Sequence, residues 1–557
     1  MPFDLVDTPS ARKERGAFFT PPQLAEFIAD WAIRTNDDRV LEPSCGDAVF
    51  LTAAANRLDY FGLPPDSSQL VGHDIHIDSL ANARAELEGR GFSAQLSLGD
   101  FFRVEPEPQF DAAIGNPPYI RFQGFAGSSR AAALERALAA GVNLSGLASS
   151  WAAFTIHATK FLKTGGRLGL VLPAELLSVN YASPVREYLL RSFSSIELIL
   201  FDELVFAGVQ ADVVVLLADG YGEAPADHFS VYQAKNVESI GSRTGYRWRP
   251  PSASSRWTDA LLTVSAAPLL AGMISSGLFS PLGAWGVVSS GTVTGANRFF
   301  TLTPAEAAEH GLHLQDFRRL LPSGLPLGTM NRFTTDDWSK AGVKAKTLLF
   351  YPRLPLSEPA NEFIALGKTL GIDTRYKCRV RKPWWRVPVT AIPDMFVSYM
   401  SGSTPRIVSN GARAHHLNSI HGLRVLSELR SLAQRTLPLL SLSSYSLLSA
   451  EIEGRSYGGG VLKLEPREAA RWLVPSPEAA QLAIATHSRL IAQGNKLIRA
   501  GDVAGASEIA NEIITSIPTE GAMSQVDPMA VRVARSELLQ RRLRRGGART
   551  PERRVES

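Results

Sequence analysis

Four short apolar segments within the first 120 residues constrain the fold of this chain more than any other feature. They span residues 39–42, 70–75, 94–98 and 110–115. Helix-like stretches follow the first two, FLTAAANRL and IDSLANARAELEGRG. Strands alternating with helices predict a parallel sheet, in which the carboxyl ends of the strands meet along one edge. We therefore expect the polar residues after these segments to line one crevice.

The residue types at those strand ends suit an adenine nucleoside. Gly46 lies in a tight turn before a helix, where a ligand can rest against backbone N–H groups, although a plain strand-to-helix connection fits equally. Asp74 ends the second strand, where doubly wound folds bind ribose hydroxyls. Asp100 and Phe101 end the third, and a carboxylate beside a stacking ring can hold an adenine.

The fourth strand ends in the turn Asn116-Pro117-Pro118-Tyr119. Two consecutive prolines fix φ near −65° and remove two N–H donors, so carbonyls and the Asn116 amide form a rigid set of acceptors. Such a set beside the Tyr119 ring suits a planar substrate that carries an amino group. An ordinary proline-rich turn with a packing tyrosine is the alternative.

In their order, the segments GAFFTPP, LEPSCGDA, GHDI, LGDFF and NPPY resemble the motifs of S-adenosylmethionine-dependent methyltransferases that act on DNA adenine, in the gamma arrangement of restriction-modification enzymes. The resemblance implies an α/β fold, with a Rossmann-like seven-stranded class I methyltransferase domain. It also implies contacts from Thr20 and Glu42 to the methionine part of S-adenosyl-L-methionine, from Asp74 to its ribose and from Asp100 and Phe101 to its adenine, with Ser44, Gly46 and Ile75 in the same pocket.

The target base would be held, by the same resemblance, by Asn116, Pro117 and Tyr119, with Phe206 covering its second face. Phe206 also fits a loop residue that packs on the sheet. Ala48 departs from the family, which has a second glycine there. A methyl group is tolerable at this position if φ is negative.

We predict three segments along the chain. Residues 1–245 form the catalytic domain, whose last two strands, near 196–201 and 212–217, pair as a hairpin. Residues 246–470 form an α+β target-recognition domain, and residues 471–557 a helical region. The chain ends in a predicted disordered basic arm that contains Arg541, Arg542, Arg544, Arg545, Arg549, Arg553 and Arg554.

The distribution of charge indicates that the C-terminal part of the chain is the DNA-binding half. Residues 1–150 hold 12 Lys and Arg against 20 Asp and Glu, whereas the whole chain carries +4. Basic residues on alternate positions predict one face of a strand that ends in two tryptophans, a pattern typical of nucleic-acid binding but also of a solvated edge strand. This segment comprises Arg375, Lys377, Arg379, Arg381, Lys382, Trp384 and Trp385.

Downstream side chains could read base edges or phosphate: Asn410, Arg413, His415, His416, Asn418 and His421. We predict no metal site, because no carboxylate or second cysteine joins these histidines at ligand spacing. Only two cysteines, no signal-peptide pattern and no apolar run of about 18 residues favour a cytoplasmic, nucleoid-associated protein and exclude a membrane one.

These observations predict site-specific methylation of adenine N6 in double-stranded DNA. Methylation of a protein glutamine or an RNA base is the enzymatic alternative, although those families are commonly shorter. A DNA-binding subunit with a weakened cofactor site is the other alternative, and Ala48 supports it. The sequence shows no nuclease cluster, so a separately encoded restriction endonuclease is a candidate partner.

Overall fold

The computed structural model describes residues 20–62, 64–121, 124–203, 205–206, 213–250, 252–255, 257, 266–322, 327–457, 459–518 and 526–545. Internal contacts divide the chain into two compact units. The first unit comprises Met1–Leu261 with Arg544–Ser557, and the second comprises Leu262–Leu543. The division therefore falls later than residue 245, because residues 244–248 form a strand of the first unit's sheet.

The strands of the first unit are β1 (Val40–Glu42), β2 (Leu70–Asp74), β3 (Gln95–Leu98), β4 (Phe110–Gly115), β5 (Leu162–Pro173), β6 (Ser195–Phe201), β7 (Val213–Asp219), β8 (Phe229–Ala234) and β9 (Thr244–Trp248). Its helices are α1 (Pro22–Ala32), α2 (Val49–Tyr60), α3 (Ile77–Gly89), α4 (Gly127–Ala139), α5 (Ser150–Thr159), α6 (Glu175–Ser178) and α7 (Ser183–Ser192).

All nine strands join one sheet in the order β3-β2-β1-β4-β5-β7-β6-β8-β9. The first five are parallel neighbours, and β7 enters antiparallel between β5 and β6. The predicted α/β class and the β6–β7 hairpin are confirmed. The seven predicted strands correspond to β1–β7, and β8 and β9 extend the sheet beyond β6. These two strands were not predicted because β8 mixes buried with half-buried residues and residues 245–248 of β9 are exposed or half-buried, so neither has the continuous apolar run that marks a central strand.

Two apolar layers cover the sheet. Leu24 and Ile28 of α1 and Leu51 of α2 pack in one cluster with strand residues such as Ile114. On the other side, α5 packs with strand residues such as Leu170. All ten residues of α5 are buried. A helix that is buried all round belongs to the interior of an α/β sandwich and has little freedom to move.

The strands of the second unit are β10 (Phe279–Pro281), β11 (Gly286–Ser290), β12 (Thr301–Leu302), β13 (Phe317–Arg319), β14 (Arg332–Phe333), β15 (Leu348–Phe350), β16 (Met395–Ser398), β17 (Met400–Ser401), β18 (Ile407–Asn410), β19 (Ile420–Val425), β20 (Arg455–Tyr457), β21 (Val461–Lys463) and β22 (Leu473–Pro475). Its helices are α8 (Ala266–Ser275), α9 (Asn297–Phe300), α10 (Pro304–Glu309), α11 (Thr335–Ala341), α12 (Glu358–Thr369), α13 (Tyr376–Arg379), α14 (Arg430–Leu440), α15 (Ser444–Glu453), α16 (Pro466–Arg471), α17 (Pro477–Ala500), α18 (Val503–Ser516) and α19 (Pro528–Arg545).

Small sheets and a helical layer build this α+β unit. Its largest sheet has the order β11-β19-β16-β18-β14. Apolar residues of α14, α15, α17, α18 and α19 share one core, which includes Leu439, Tyr445 and Ile513. Within the described ranges, no helix is both long and apolar enough to cross a bilayer.

Part of the predicted basic arm is ordered. Arg541 and Arg542 lie in α19 and are buried, and Arg542 forms a buried bidentate ion pair with Glu451, with nitrogen-to-oxygen distances of 2.7 and 2.8 Å. Arg544 and Arg545 also belong to α19. The prediction of disorder is therefore wrong for these four residues, and for Arg542 the pairing with Glu451 compensates for burying the guanidinium. The remainder of the arm, from residue 546 onward, lies outside the described residues.

Candidate active site

The parallel pairing of β1, β2, β3 and β4 brings the predicted strand ends to one edge of the sheet. Hydrogen bonds then join successive loops. The Gly46 N–H donates to Asp74 Oδ2 at 2.9 Å, and the His76 N–H donates to Asp74 Oδ1 at 2.8 Å. Ile75, which lies between Asp74 and His76 in the chain, is 59% exposed. Asp74 is therefore held in place at the edge where the resemblance places the ribose.

The turn between β1 and α2 has a strained backbone. Gly46 has φ of 48°, which glycine adopts readily, and a Cβ added there would meet no atom within 4 Å. Ala48, the residue before α2, has φ of 63° and is fully buried. The condition of negative φ under which alanine would be tolerated is thus not met. The turn retains the left-handed conformation that suits glycine.

Glu42 is buried beneath this turn, with its side chain 2% exposed, and its Oε2 accepts the Leu51 N–H at 3.0 Å. Burial raises the pKa of Glu42 well above its usual range; the Leu51 hydrogen bond opposes this rise and the charge of Asp74 adds to it. The neutral form is favoured in the protein alone. A cationic ligand group near Glu42 would restore its negative charge.

Asp100 and Phe101 follow β3 as predicted, but the two side chains differ in accessibility. Asp100 Oδ1 accepts the Phe102 N–H at 3.1 Å, whereas Oδ2 is buried with no partner among the described residues. Phe101 is 2% exposed, and its ring packs against Phe154 and His157 at centroid distances of 5.7 and 4.7 Å. Asp100 thus offers a buried acceptor, while Phe101 belongs to an aromatic cluster.

The loop after β4 is anchored on the cofactor side by Asn116. Its Nδ2 donates to Thr20 Oγ1 at 3.3 Å, and its carbonyl accepts Ser44 Oγ at 3.4 Å. Pro117 is buried, and with Asn116 and Ser44 it lines a narrow cleft. Three residues predicted from separate motifs therefore meet at one point.

Tyr119 is held on the other side of this loop. Its hydroxyl donates to the Val171 carbonyl at 2.9 Å, and burial raises the pKa of the phenol well above its usual range. Tyr119 is therefore neutral at physiological pH. Phe206, predicted to cover the second base face, is 2% exposed in the apolar cluster that Tyr119 also contacts, and residues 207–212 lie outside the described part of the chain. Its stacking role stays a prediction.

Two buried polar residues of α5, Ser150 and His157, were not predicted from the sequence. Ser150 contacts the backbone of the loop after β4, and His157 contacts the Phe101 carbonyl. The pair of serines at the start of the helix, residues 149–150, was the available signal, because serine favours helix N-termini. Which loop these side chains contact depends on tertiary packing and could not be predicted.

In the second unit, the predicted basic strand is wrong. Residues 376–379 form the single helical turn α13 at the position where an extended strand was expected. Arg375, Lys377 and Arg379 are all exposed, and the Lys377 and Arg379 cations lie 5.6 and 5.8 Å from the exposed Tyr376 ring. The exposed Lys382 follows them. These groups, which we call the basic turn, still form an exposed cluster of cations.

Three other residues of that segment are engaged in internal contacts. Arg381 donates to the Thr294 and Val293 carbonyls at 2.7 and 2.8 Å. Trp385 is 8% exposed, and the half-buried Trp384 packs in the same apolar cluster. The predicted row of tryptophans open to bases is therefore wrong, because both indoles cover the core of this unit.

A cleft of about 750 Å³ borders the basic turn. Arg375, Arg298 and Asn418 are polar members of its lining, while Phe299 and Phe363 are apolar ones. These two rings stack at 4.6 Å. The cleft combines cationic and aromatic groups on a surface that the sequence assigned to DNA contact.

The predicted base-reading histidines are not at the surface. His415, His416 and His421 are 6, 1 and 1% exposed, and the buried Asn410 amide bonds to the Pro393 and Ala414 carbonyls. His415 Nδ1 and His421 Nε2 contact backbone carbonyls at 3.1 and 2.7 Å, so these buried polar groups bond to backbone inside the unit. Arg413 and Asn418 are exposed. Among the described residues, no group of three or more His, Cys, Asp or Glu is arranged to hold a metal ion.

Fold and site together define a class I methyltransferase-like unit followed by a second α+β unit. Residues 7–242 match the family model described as N-6 DNA Methylase, and residues 254–515 match that of the C-terminal domain of the type II methyltransferase M.Eco57I. The predicted resemblance to adenine-N6 DNA methyltransferases of restriction-modification systems is thereby confirmed.

Similar proteins support this assignment over most of the chain. The type II methyltransferase M.XamI of Xanthomonas campestris pv. amaranthicola is 28% identical, over 83% of this chain and 85% of its own length. M.AccI of Acinetobacter calcoaceticus is 22% identical, over 82 and 84%. In fold, the chain is similar to the type IIL restriction-modification enzyme MmeI, solved with DNA, with a TM-score of 0.52 and 11% identity over 93% of this chain and 75% of that one.

Proposed function

We propose that this protein transfers a methyl group from S-adenosyl-L-methionine to the N6 amine of adenine at a specific sequence in double-stranded DNA. The meeting of Asn116 with Thr20 and Ser44 carries the proposal. These hydrogen bonds join the loop after β4, residues 116–119, which we call the acceptor loop, to residues that the resemblance assigns to the cofactor. Substrate specificity and cofactor are the parts of the proposal that require direct measurement.

The described residues fit S-adenosyl-L-methionine. Asp100 has a buried oxygen that lacks a partner within the described residues, as an exocyclic amine would require. Asp74 lies at the ribose position, and Gly46 leaves open space beside its backbone. Glu42 would regain its charge beside an ammonium group. The bound cofactor supplies the methyl group as a sulfonium substituent.

The target amine is a poor nucleophile because its lone pair is delocalised into the adenine ring. Acceptance of its two N–H groups by the Asn116 amide oxygen and the Pro117 carbonyl localises that lone pair, so the amine can attack the methyl carbon in line. The new N–C bond would form as the methyl–sulfur bond breaks to leave a neutral thioether, and the methylated amine would release one proton to solvent. Because the amine is inaccessible inside a duplex, the base must leave the helix, and Tyr119 stacks on it. Tyr119 remains neutral and anchored to Val171 throughout.

The decisive experiment measures transfer of labelled methyl from S-adenosyl-L-methionine to duplex DNA, followed by mapping of the modified base. We expect N6-methyladenine at one sequence. Asn116→Ala should reduce kcat by about 100- to 1,000-fold, because a preorganised hydrogen bond to the reacting group is removed. Asn36→Ala, at an exposed asparagine in the loop before β1, is the matched control. Full activity of Asn116→Ala would contradict the assigned role.

The same assay separates the alternatives. Label on ribosomal RNA or on a release factor, and none on DNA, would favour the RNA or glutamine reaction. Absence of cofactor binding by calorimetry, with DNA binding retained, would favour the DNA-binding subunit. In the proposed assignment, residues 246–470 recognise the target and residues 471–557 support them, in a protein that acts on nucleoid DNA, with a separately encoded endonuclease as the candidate partner.

A further inference from the structure

Helix α5 carries buried polar side chains that the proposed chemistry does not use. Ser150, Thr155, His157 and Thr159 are each at most 1% exposed. Buried polar groups require hydrogen-bond partners, and those partners show what a helix holds in place. Thr155 bonds to the Trp151 carbonyl of its own helix at 2.9 Å. Ser150 and His157 instead reach outside the helix.

Ser150 fixes the acceptor loop on both sides of Tyr119. Its Oγ donates to the Pro118 carbonyl and accepts the Ile120 N–H at 2.9 Å, while its own N–H donates to the Ile120 carbonyl at 3.0 Å. One serine thus fixes the peptide units before and after the stacking residue. The Pro117 carbonyl belongs to the peptide unit directly before those that Ser150 contacts.

His157 fixes the segment after β3 in the same way. Its Nε2 lies 3.1 Å from the Phe101 carbonyl. Burial lowers the pKa of His157 to about 4, opposed by that hydrogen bond. The ring is therefore neutral at pH 7, and its Nε2–H donates to the carbonyl. Phe101 directly follows Asp100, the acceptor assigned to the cofactor adenine.

The two contacts lie on one face of α5. His157 lies seven positions after Ser150, which is two turns, or about 10 Å of helix. Phe154 lies between them; it lines the cleft beside Asn116 and Pro117, and its ring packs against Phe102 at 4.6 Å. The helix therefore joins the acceptor loop to the cofactor segment along a single rigid face.

We propose that α5 sets the separation between the two reactants, with Ser150 as the positioning residue for the target amine and His157 as the positioning residue for the cofactor adenine. The inference rests on the proposed function and deepens it. Methyl transfer requires a short, aligned approach between amine and sulfonium, so the length of this helix becomes part of the active-site geometry. Neither side chain touches a reacting atom.

The test uses the full chain and separates effects at the two ends of the helix. Ser150→Ala should lower kcat by about 10- to 100-fold, since a small misplacement of a reacting group has this effect, and leave the Kd of S-adenosyl-L-methionine within about twofold. His157→Leu should raise that Kd by about tenfold, which corresponds to the removal of one hydrogen bond. Calorimetry measures the Kd, and single-turnover methyl transfer measures the chemical step.

Thr155→Val is the matched control, because it removes a buried hydroxyl of α5 that contacts neither loop. It should change neither quantity by more than about twofold. Ser150→Thr retains the hydroxyl and should recover most of the decrease in kcat. Recovery by threonine, with unchanged cofactor binding in Ser150→Ala, would not result from a general loosening of the fold.

Three outcomes would overturn the inference: unchanged kcat in Ser150→Ala, loss of cofactor binding in that variant, or equal effects of Ser150→Ala, His157→Leu and Thr155→Val. If Ser150→Ala does not fold, an inactive but cofactor-binding Ser150→Thr overturns it, and an active one supports it. Failure of the wild-type protein to methylate DNA would refute the proposed function instead, so the two failures are distinguishable.

Discussion

Ala48 adopts a backbone conformation that is unfavourable for a residue with a Cβ atom. Its φ of 63° lies in the left-handed region, where an L-residue with a Cβ is strained by about 1–2 kcal/mol. The methyl group is fully buried, so packing partly offsets that strain. The strain lies in the turn that includes Gly46, directly beside the predicted cofactor pocket. The sequence revealed the departure from glycine, but only the fold revealed the sign of φ.

Ala48→Gly should therefore change the free energy of unfolding by less than about 1 kcal/mol. Relief of about 1–2 kcal/mol of strain is opposed by the flexibility of glycine, about 0.5–1 kcal/mol, and by removal of the buried methyl group, about 0.8 kcal/mol. Urea denaturation measures the change. Ala48→Val should destabilise by at least about 1 kcal/mol, because a β-branched residue is unfavourable at positive φ. A stabilising valine would contradict this account.

The basic turn is an element whose backbone differs from the prediction although its positive charge remains exposed. Alternating cations in residues 375–381 predicted a strand, yet α13 is a helical turn and Arg381 is used to fix the loop at residues 293–294. Arg375, Lys377 and Arg379 remain exposed. Positive charge at the surface depends on side-chain length and solvation rather than on backbone type, so the cluster survives the change of element.

Replacing Arg375 and Arg379 by alanine should weaken DNA binding to a similar extent for all sequences. It should also reduce the slope of log K against log salt by about one for each DNA phosphate that the variant no longer binds. Fluorescence anisotropy over a salt series gives both quantities. The control pair, Lys340→Ala with Arg532→Ala, removes equal charge from residues that are ion-paired with Asp336 and Glu508. Equal slopes for the two double variants would exclude the basic turn from the interface.

At the scale of the whole molecule, each unit buries a histidine that stays neutral. Burial lowers the pKa of His157 in the first unit and of His416 in the second to about 4, and for His416 the neighbouring His415 and His421 contribute to this decrease. Both His416 ring nitrogens lack a partner within the described residues. The unfolded chain binds these protons near pH 6.5, and the folded units bind them only near pH 4.

Both units should therefore lose stability as pH falls from about 6.5 towards 4, because the unfolded state binds more protons over that range. The slope is at most about 1.4 kcal/mol per pH unit for each histidine. Urea unfolding at pH 7, 6 and 5 measures it. His416→Leu should flatten the profile of the second unit and leave that of the first unchanged. An unaltered profile in His416→Leu would show that His416 is not the responsible group.

Local sequence determined the class of this protein and most of the residues that meet at its site. Asp74, Asp100 and Asn116 each follow an apolar strand, and parallel pairing necessarily brings such ends to one edge. The turn chemistry of two prolines and the acidic strand tips could be predicted because each depends on residues adjacent in the chain. The four motifs therefore indicated one crevice before any distance was known.

Tertiary structure decided what depends on partners distant in sequence. Ser150 and His157 acquire their roles from loops 30 and 56 residues away in the chain. Trp385 and the histidines that resembled a binding surface are buried, and Trp384 is half-buried, because neighbouring elements in the second unit cover them. Arg542 is held by Glu451 and by two backbone carbonyls that lie 82 and 140 residues away in the chain. Burial is a property of the assembled fold, and a local pattern of charge or aromatic residues does not specify which of its members will face solvent.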